Sequence, residues 1–587
     1  MENSAIETLY RPKRYASIDF LRGMAILTML LLHTVMDTFE VDRYVNELSN
    51  ISSINLLALL IMPYLGGLAG LFLMTSATGN MIGMRKNLEK GQSPNSVIRK
   101  QVVGGALIII FAHFGEAFLG YHGGFGQVTK NLNNIPGILS GEVVIHHWRT
   151  QGYHFETLHT IGWCVLVNGA IQGMISKRFD LSTDSRTVIR IYFLMAGVVL
   201  LTTPIVWAAV EALIPGYPWG INGDEAMWRV VIGESPPQDY IIYLFINPLA
   251  AEVEPIFPYL ATSFIGSIIG IYMSNPKELD FDKSFVKKFF WVGTLCFFVG
   301  FIGVGIVLGD LGDFDAAIDK YRTIYNHRAW VPEKGLTALG GSGWFWQFMT
   351  LNGMTVMITM TVIRISEFRG KGEQFAKATQ FVRRFGFIAF TIYITQWVYY
   401  IMQFFVSSVY PDYTFFGENV TVDAYSRMPW PGVWAIVILT ILTFHFIMKA
   451  WEKKGYVGSF EWMIITLSGL FSPVRKQVAN PDSSQDKWWQ SGMLNVDGIF
   501  YNPEWQNFPV DDIIQEERRL IRNYSIAGFF VAPFSFIAFL IARDFEKDNP
   551  SEDIKNLKNA SIAGIIFFVI WFLALNILSL SDFGIEL

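Results

Sequence analysis

Three ionisable residues in the first apolar stretch, SIDFLRGMAILTMLLLH at 17–33, could do chemistry: Asp19, Arg22 and His33. Ten uncharged residues separate Arg22 from His33. On an α-helix an eleven-residue separation is about three turns, so the two side chains lie within roughly 20° of one face. The rise between them is roughly 16 Å, half the thickness of a bilayer hydrocarbon core. With Arg22 at one membrane surface, His33 is expected near the middle, where an ionisable side chain is costly and points to function. A neutral imidazole there has the lone pair a general base needs. Asp19 and Arg22, three residues apart, are expected to form an interfacial salt bridge, with Asp19 positioning Arg22 rather than reacting.

Other polar residues inside or beside apolar runs widen the candidate set. His113, with Glu116 near it, reads either as a bridge between helices or as the lining of a path. His159 opens a later apolar run and Glu254 precedes Pro255 at the head of another; each is a candidate contact for an acceptor substrate. For Glu254, helix capping is the simpler account. Arg85 and Arg99, in a basic loop, are candidate anion contacts beside Arg22, or ordinary residues of a positively charged membrane face. His146 and His147 are adjacent and therefore diverge, and no partner ligand stands at metal-binding spacing, so no metal is expected.

These residues must be positioned by membrane helices. Of 587 residues 52% are hydrophobic and 16% charged, against about 25% charged in soluble domains. The expected fold is all-α, a polytopic integral membrane bundle. Apolar segments fall at about 19–36, 55–82, 101–120, 157–176, 188–213, 256–274, 286–309, 344–364, 385–409 and 432–450. Two more, at 524–542 and 560–580, predict a C-terminal two-helix hairpin, and 459–471 is too short to span. The organisation expected is a core over 1–475, a polar aromatic linker over 476–523 and the hairpin over 524–587. That tail reads as a module for regulation or assembly, the latter implying a homo-oligomer. Charge does not orient it, because Arg518, Arg519 and Arg522 flank one end and Arg543, Lys547, Lys555 and Lys558 lie between its two segments.

Lys and Arg cluster in alternate loops of the core, at Arg11–Arg14, Arg85–Lys100, Lys177–Arg190, Lys277–Lys288 and Arg364–Arg384, while Arg43 and Arg427 stand alone in the first and last of the others. The positive-inside rule then predicts a cytoplasmic N-terminus. The poorly basic loops are long and rich in Gly, Trp and Tyr, which suits both sugar stacking and an aromatic interface belt. Cys164 and Cys296 both lie in apolar runs, which excludes a disulfide framework. A net charge of −5 with no basic tract gives no reason to expect nucleic acid.

RYASIDFLRGMAILTMLLLH resembles the opening motif of the membrane acyltransferase superfamily, which joins acyltransferase-3, YeiB-like and heparan-α-glucosaminide N-acetyltransferase-like proteins. The matching residues are Arg14, Ser17, Ile18, Asp19, Arg22, Gly23, Ala25 and His33. GLFLMTSATG (70–79), TLHTIGW (157–163), EPIFPYLATSFIGSIIG (254–270), GFIAFTIYITQ (386–396) and GSFEWMI (458–464) are similar to later segments, in order, although Ala77 stands where the family prefers Gly. The likeness covers residues 14–470. It implies transfer of an acyl group, often acetyl, from cytoplasmic acyl-CoA to an acceptor across the membrane, commonly a carbohydrate or glycolipid. His33, Arg22 and Asp19 would be the motif's catalytic residues, Arg22, Arg85 and Arg99 would meet CoA, and His159, His113 and Glu254 the acceptor. A cell-membrane location follows from the same likeness. A transporter or flippase using the same buried polar residues is the alternative, weakened by the absence of an evident repeat or paired discontinuous helices.

Overall fold

In the computed structural model the described residues form a bundle of helices with one small hairpin of strands. The structure describes residues 14–40, 51–89, 91–145, 155–180, 183–213, 244–246, 248–251, 254–274, 279–324, 330, 343–369, 371–423, 426–471, 492–494, 505, 512–529 and 532–580. Arg11, Lys13, Arg43, Lys90, His146, His147, Trp148, His154 and Lys277, with most of 214–250 and of the 476–523 linker, lie outside the described residues.

The membrane helices run in chain order as α1 (Ala16–Thr38), α2 (Ser53–Gly66), α3 (Ala69–Glu89), α4 (Pro94–Phe114), α5 (Thr157–Ile175), α6 (Ser185–Leu213), α7 (Ile256–Ser274), α8 (Lys283–Gly309) and α9 (Gly343–Glu367). A broken segment follows as α10 (Gln380–Phe387), α11 (Ala389–Ile394) and α12 (Val398–Ser407). Strands β1 (Tyr413–Phe415) and β2 (Glu418–Val420) pair antiparallel before α13 (Trp430–Glu452) and α14 (Phe460–Phe471). The tail is α15 (Ile513–Gly528), α16 (Ala532–Asp548) and α17 (Glu552–Leu580). Among the described residues ten helices, counting α2–α3 as one, are long and apolar enough to cross a membrane, so the protein is an integral membrane protein.

Burial separates centre from rim. In α7, 83% of the most apolar window is buried, against 11% in α17. On α8, Trp291, Leu295, Phe298, Ile302 and Ile306 are exposed, the side that lipid would cover. The centre closes up through glycines. A Cβ on Gly266 of α7 would strike the Met74 carbonyl oxygen of α3, and one on Gly270 would come within 2.8 Å of the Thr78 carbonyl oxygen. Small residues of this kind let membrane helices approach backbone to backbone.

One expected span crosses as a broken helix, running beside α1 from Asp19 past His33 to Asp37, and another is not a span. The 385–409 segment breaks at Ile388 and again at Thr395–Trp397. Its freed amides are not orphaned, because Glu461 Oε1 accepts from the backbone N–H of Phe390 at 2.7 Å and of Thr391 at 3.4 Å. A carboxylate has taken the place of the preceding turn's carbonyls. The 524–542 segment is the tip of a helical hairpin, α15 and α16, turning after Gly528, whose bare Cα packs on Ser535. Ser525 meets Ser561 at 2.7 Å, and Gly564 packs on Ser535, so the tip reaches only partway along α17. The two-helix hairpin expected at the C-terminus is therefore three packed helices, of which only α17 is long and apolar enough to cross. Apolarity alone could not distinguish a span from a dipping tip, because both bury similar residues.

The ends of the helices sort consistently. Met273, Glu367, Arg383 and Glu452 lie with the start of α1 on one side, hereafter the basic side. The tail joins that side through Arg364 and Lys283 on Glu516, and Arg369 and Lys371 on Glu517.

Candidate functional site

At the basic end of α1 the motif residues are tied into the scaffold. Arg14 holds Asp19 through two hydrogen bonds of 2.7 and 3.1 Å, and Arg383 adds a third at 3.4 Å. Ser17 donates through its backbone N–H and its hydroxyl to Glu367 Oε1, at 3.0 and 2.7 Å. The expected Asp19–Arg22 pairing does not form: Arg14 and Arg383 occupy the carboxylate, and Asp19 lies about 21 Å of helix rise from His33. Asp19 is an anchor for α1 and α10, remote from any chemistry at His33. Gly23 and Gly386 explain the close fit of these helices. A Cβ on Gly23 would strike the Val382 carbonyl oxygen, and one on Gly386 would lie 2.8 Å from the Asp19 carbonyl oxygen.

Arg22 is left over. Its guanidinium makes no hydrogen bond to any described residue, and Asp19 and Glu461 act on it only through space. Gly79 of α3 makes room for it, since a Cβ there would sit 2.9 Å from Arg22 Nη2. Along α1 Arg22 lies about 9 Å from the helix start and His33 about 8 Å from its far end. Each therefore lies roughly a turn and a half inside its own end of α1.

Toward that far end a cavity of about 290 Å³ follows one face of α1, lined by Ala25, Ile26, Met29, His33, Met36 and Asp37. It stops at Ala25 and Ile26, one turn short of Arg22. The opposing wall includes Phe72, Tyr121, His122, Glu156, Thr157, Glu254 and Tyr393. His33 Nδ1 is 2.7 Å from Gln396 Oε1. A carbonyl oxygen can only accept, so with the amide in this orientation Nδ1 carries the proton and Nε2 keeps the lone pair. Tyr121 covers the ring, centroids 5.2 Å apart.

Gln396 reaches His33 because the chain breaks at Thr395–Trp397, and the same irregular segment brings Tyr393 to Glu156 Oε2 at 2.7 Å. Tyr121 and His122 approach Glu156 Oε1 at 3.4 Å each. Asp37 accepts from Tyr399 and, at 3.1 Å, from Tyr400. Glu254 has a left-handed backbone, φ 48°, which an L-residue seldom takes without a surrounding that holds it. Burial pushes its carboxyl up to about 8, against the opposing hydrogen bond of Thr157, so it still holds its proton near neutrality.

Of the other candidates, only Glu254 joins His33 at the cavity. His159 is fully buried and both ring nitrogens are engaged: Nδ1 accepts the Glu156 backbone N–H at 3.1 Å, and Nε2 meets His113 Nδ1 at 3.2 Å. With Nδ1 accepting, Nε2–H donates to His113. The two histidines support Glu156 from behind and do not line the cavity. Arg85 is fully buried and donates to Ser185 at 2.8 Å, tying α3 to α6 in place of facing an anion. Arg99 is exposed on the first turns of α4, away from the cavity. Sequence reasoning missed Gln396, Tyr393, Glu156, Tyr121 and Asp37. For Tyr393 and Gln396 a signal existed, since they are the Tyr and the Gln that close GFIAFTIYITQ.

No protein-family model matches the chain, and no curated protein sequence matches it. The likeness to membrane acyltransferases therefore rests on the sequence motifs alone.

Proposed function

We propose that the protein is a membrane acyltransferase that moves a short acyl group, acetyl being the simplest, from acyl-CoA on the basic side to a hydroxyl or amine acceptor reaching the cavity from the opposite side. The observation that carries this reading is His33, its Nδ1 2.7 Å from Gln396 Oε1 and its Nε2 unengaged among the described residues, on the wall of the cavity. Nε2 takes the proton of the acceptor as its heteroatom bonds to the thioester carbonyl carbon. The carbon–sulfur bond then breaks, and the sulfur of CoA takes the proton back from the imidazolium. At about 290 Å³ the cavity is at the small end of ligand pockets, which favours a short acyl group. Arg22, uncommitted and one turn below the cavity, suits the polar, anionic body of the donor; Arg85 does not. Protonated Glu254 can donate a hydrogen bond to an acceptor oxygen. A carbohydrate or glycolipid acceptor and a cell membrane with the basic side facing the cytoplasm follow from the resemblance and the positive-inside rule.

The test is purified protein in nanodiscs supplied with acetyl-CoA labelled in the acetyl group. Transfer or slow hydrolysis that disappears in His33→Ala supports the reading. Full activity in that variant, or no binding of acetyl-CoA at millimolar concentration, overturns it. Proteoliposomes that take up a sugar without consuming acetyl-CoA would support the transporter instead.

A further inference from the structure

The C-terminal three-helix unit contains a second concavity, of about 650 Å³, between the first turns of α15 and α17. Arg518, Arg519 and Arg522 line it from α15, and Asp553, Asn556 and Leu557 from α17. The two neighbouring acids of α15 are spent elsewhere: Glu516 on Arg364 and Lys283, Glu517 on Arg369 and Lys371. The three arginines are exposed and make no hydrogen bond or ion pair with any described residue. They face Asp553 as the one carboxylate of the concavity not already paired, so the charge there is net positive.

The position of this concavity decides its ligand. It lies at the foot of α17, where Lys555 and Lys558 give way to an apolar run from Ala560. Above it Ile566, Phe567, Val569, Ile570 and Leu573 are exposed, the surface acyl chains would cover. A phosphate group among the arginines would therefore stand directly below a lipid-facing helix. Guanidinium pairs phosphate oxygens through two parallel N–H donors, the geometry three uncommitted arginines offer. We infer that Arg518, Arg519 and Arg522 with the first turns of α17 form a binding site for the phosphate headgroup of an anionic membrane phospholipid. The inference is independent of acyl transfer. It also gives the hairpin a role: α15 and α16 dip beside α17 and hold the arginines level with the lipid headgroups.

The experiment is native mass spectrometry of the full chain in detergent, titrated with phosphatidylglycerol, with phosphatidylcholine, and with inorganic phosphate as competitor. The intact protein is expected to retain phosphatidylglycerol over phosphatidylcholine by about tenfold. Replacing Arg518, Arg519 and Arg522 by Gln together should abolish that preference, and the corresponding Lys variants, which keep the charge but not the paired N–H donors, should retain only part of it. Asn556→Trp fills the concavity from an exposed position without touching a charge, so it reports on the site even where the triple variant fails to fold; it too should lose the preference. Unchanged retention in both variants, or equal retention of the two lipids, overturns the inference. Displacement of the lipid by millimolar phosphate would show a site for soluble anions and overturns the assignment to lipid.

Discussion

At the basic end of α1, Asp19 is closed between Arg14 and Arg383 and Ser17 is bound twice by Glu367, whereas fourteen residues beyond Asp19 the ring of His33 has one nitrogen bound and the other beside a cavity. In the first group both oxygens of Asp19 and both donors of Ser17 are spent on the protein itself. In the second, Nε2 of His33 is unengaged among the described residues. Buried polar groups that are fully satisfied hold helices in register, and one left over at a cavity wall has something to offer a substrate. Arg22 lies between the two groups along the helix and belongs with His33 in this respect, although the cavity ends a turn before it.

Four measurements would break or sharpen this contrast. The largest effect is expected of His33→Ala, a loss of about 10²- to 10⁴-fold in acyl transfer at unchanged thermal stability; equal activity would place the chemistry elsewhere. Asp19→Asn should do the reverse. It leaves two guanidinium groups without their shared carboxylate and should cost roughly 3 kcal/mol of stability, with turnover per folded molecule unchanged, as seen by thermal unfolding alongside active-site-normalised assays. Gln396→Ala frees the ring of His33 to turn, and a drop in turnover of about tenfold is expected with little effect on donor binding. A purely structural Gln396 would lower stability and leave turnover alone.

The smallest effect concerns Glu254. Its raised value means the neutral form prevails below pH 8 and the carboxylate above it. Activity should fall several-fold as pH rises through about 8, and Glu254→Gln, which copies the neutral carboxyl, should flatten that limb of the profile. A variant that keeps the same alkaline fall would remove Glu254 from the acceptor side.

The core reads differently from the tail. Nine of the ten expected core segments appear as helices where the apolar runs place them, because a bilayer requires each crossing to satisfy its backbone internally and be apolar throughout. The tenth, at 385–409, also runs the length of α1 but not as one helix, because Glu461 accepts from the amides of Phe390 and Thr391 and the helix breaks there. Glu461 is some seventy residues away in the chain, and nothing local announces that contact. The tip at 524–542 does not cross, for a different reason: composition does not record how deep a segment goes. Of the site, His33 and its face of α1 were legible from spacing, and so was Glu254 as a candidate. His159 and His113 were legible as polar residues in apolar runs, but not as partners of one another.

Composition and periodicity determined by themselves that this is a membrane bundle, that α1 places Arg22 and His33 on one face about 16 Å apart, and that Lys and Arg gather on one side. Only the tertiary structure decided what each polar residue is bound to. It gave Asp19 to Arg14 and Arg383, closed Arg85 onto Ser185, engaged both nitrogens of His159, and left His33 and Arg22 with unused capacity. The physical reason is that helix geometry is local and repeats along the chain, whereas the pairing of a buried polar group depends on which distant segment packs against it.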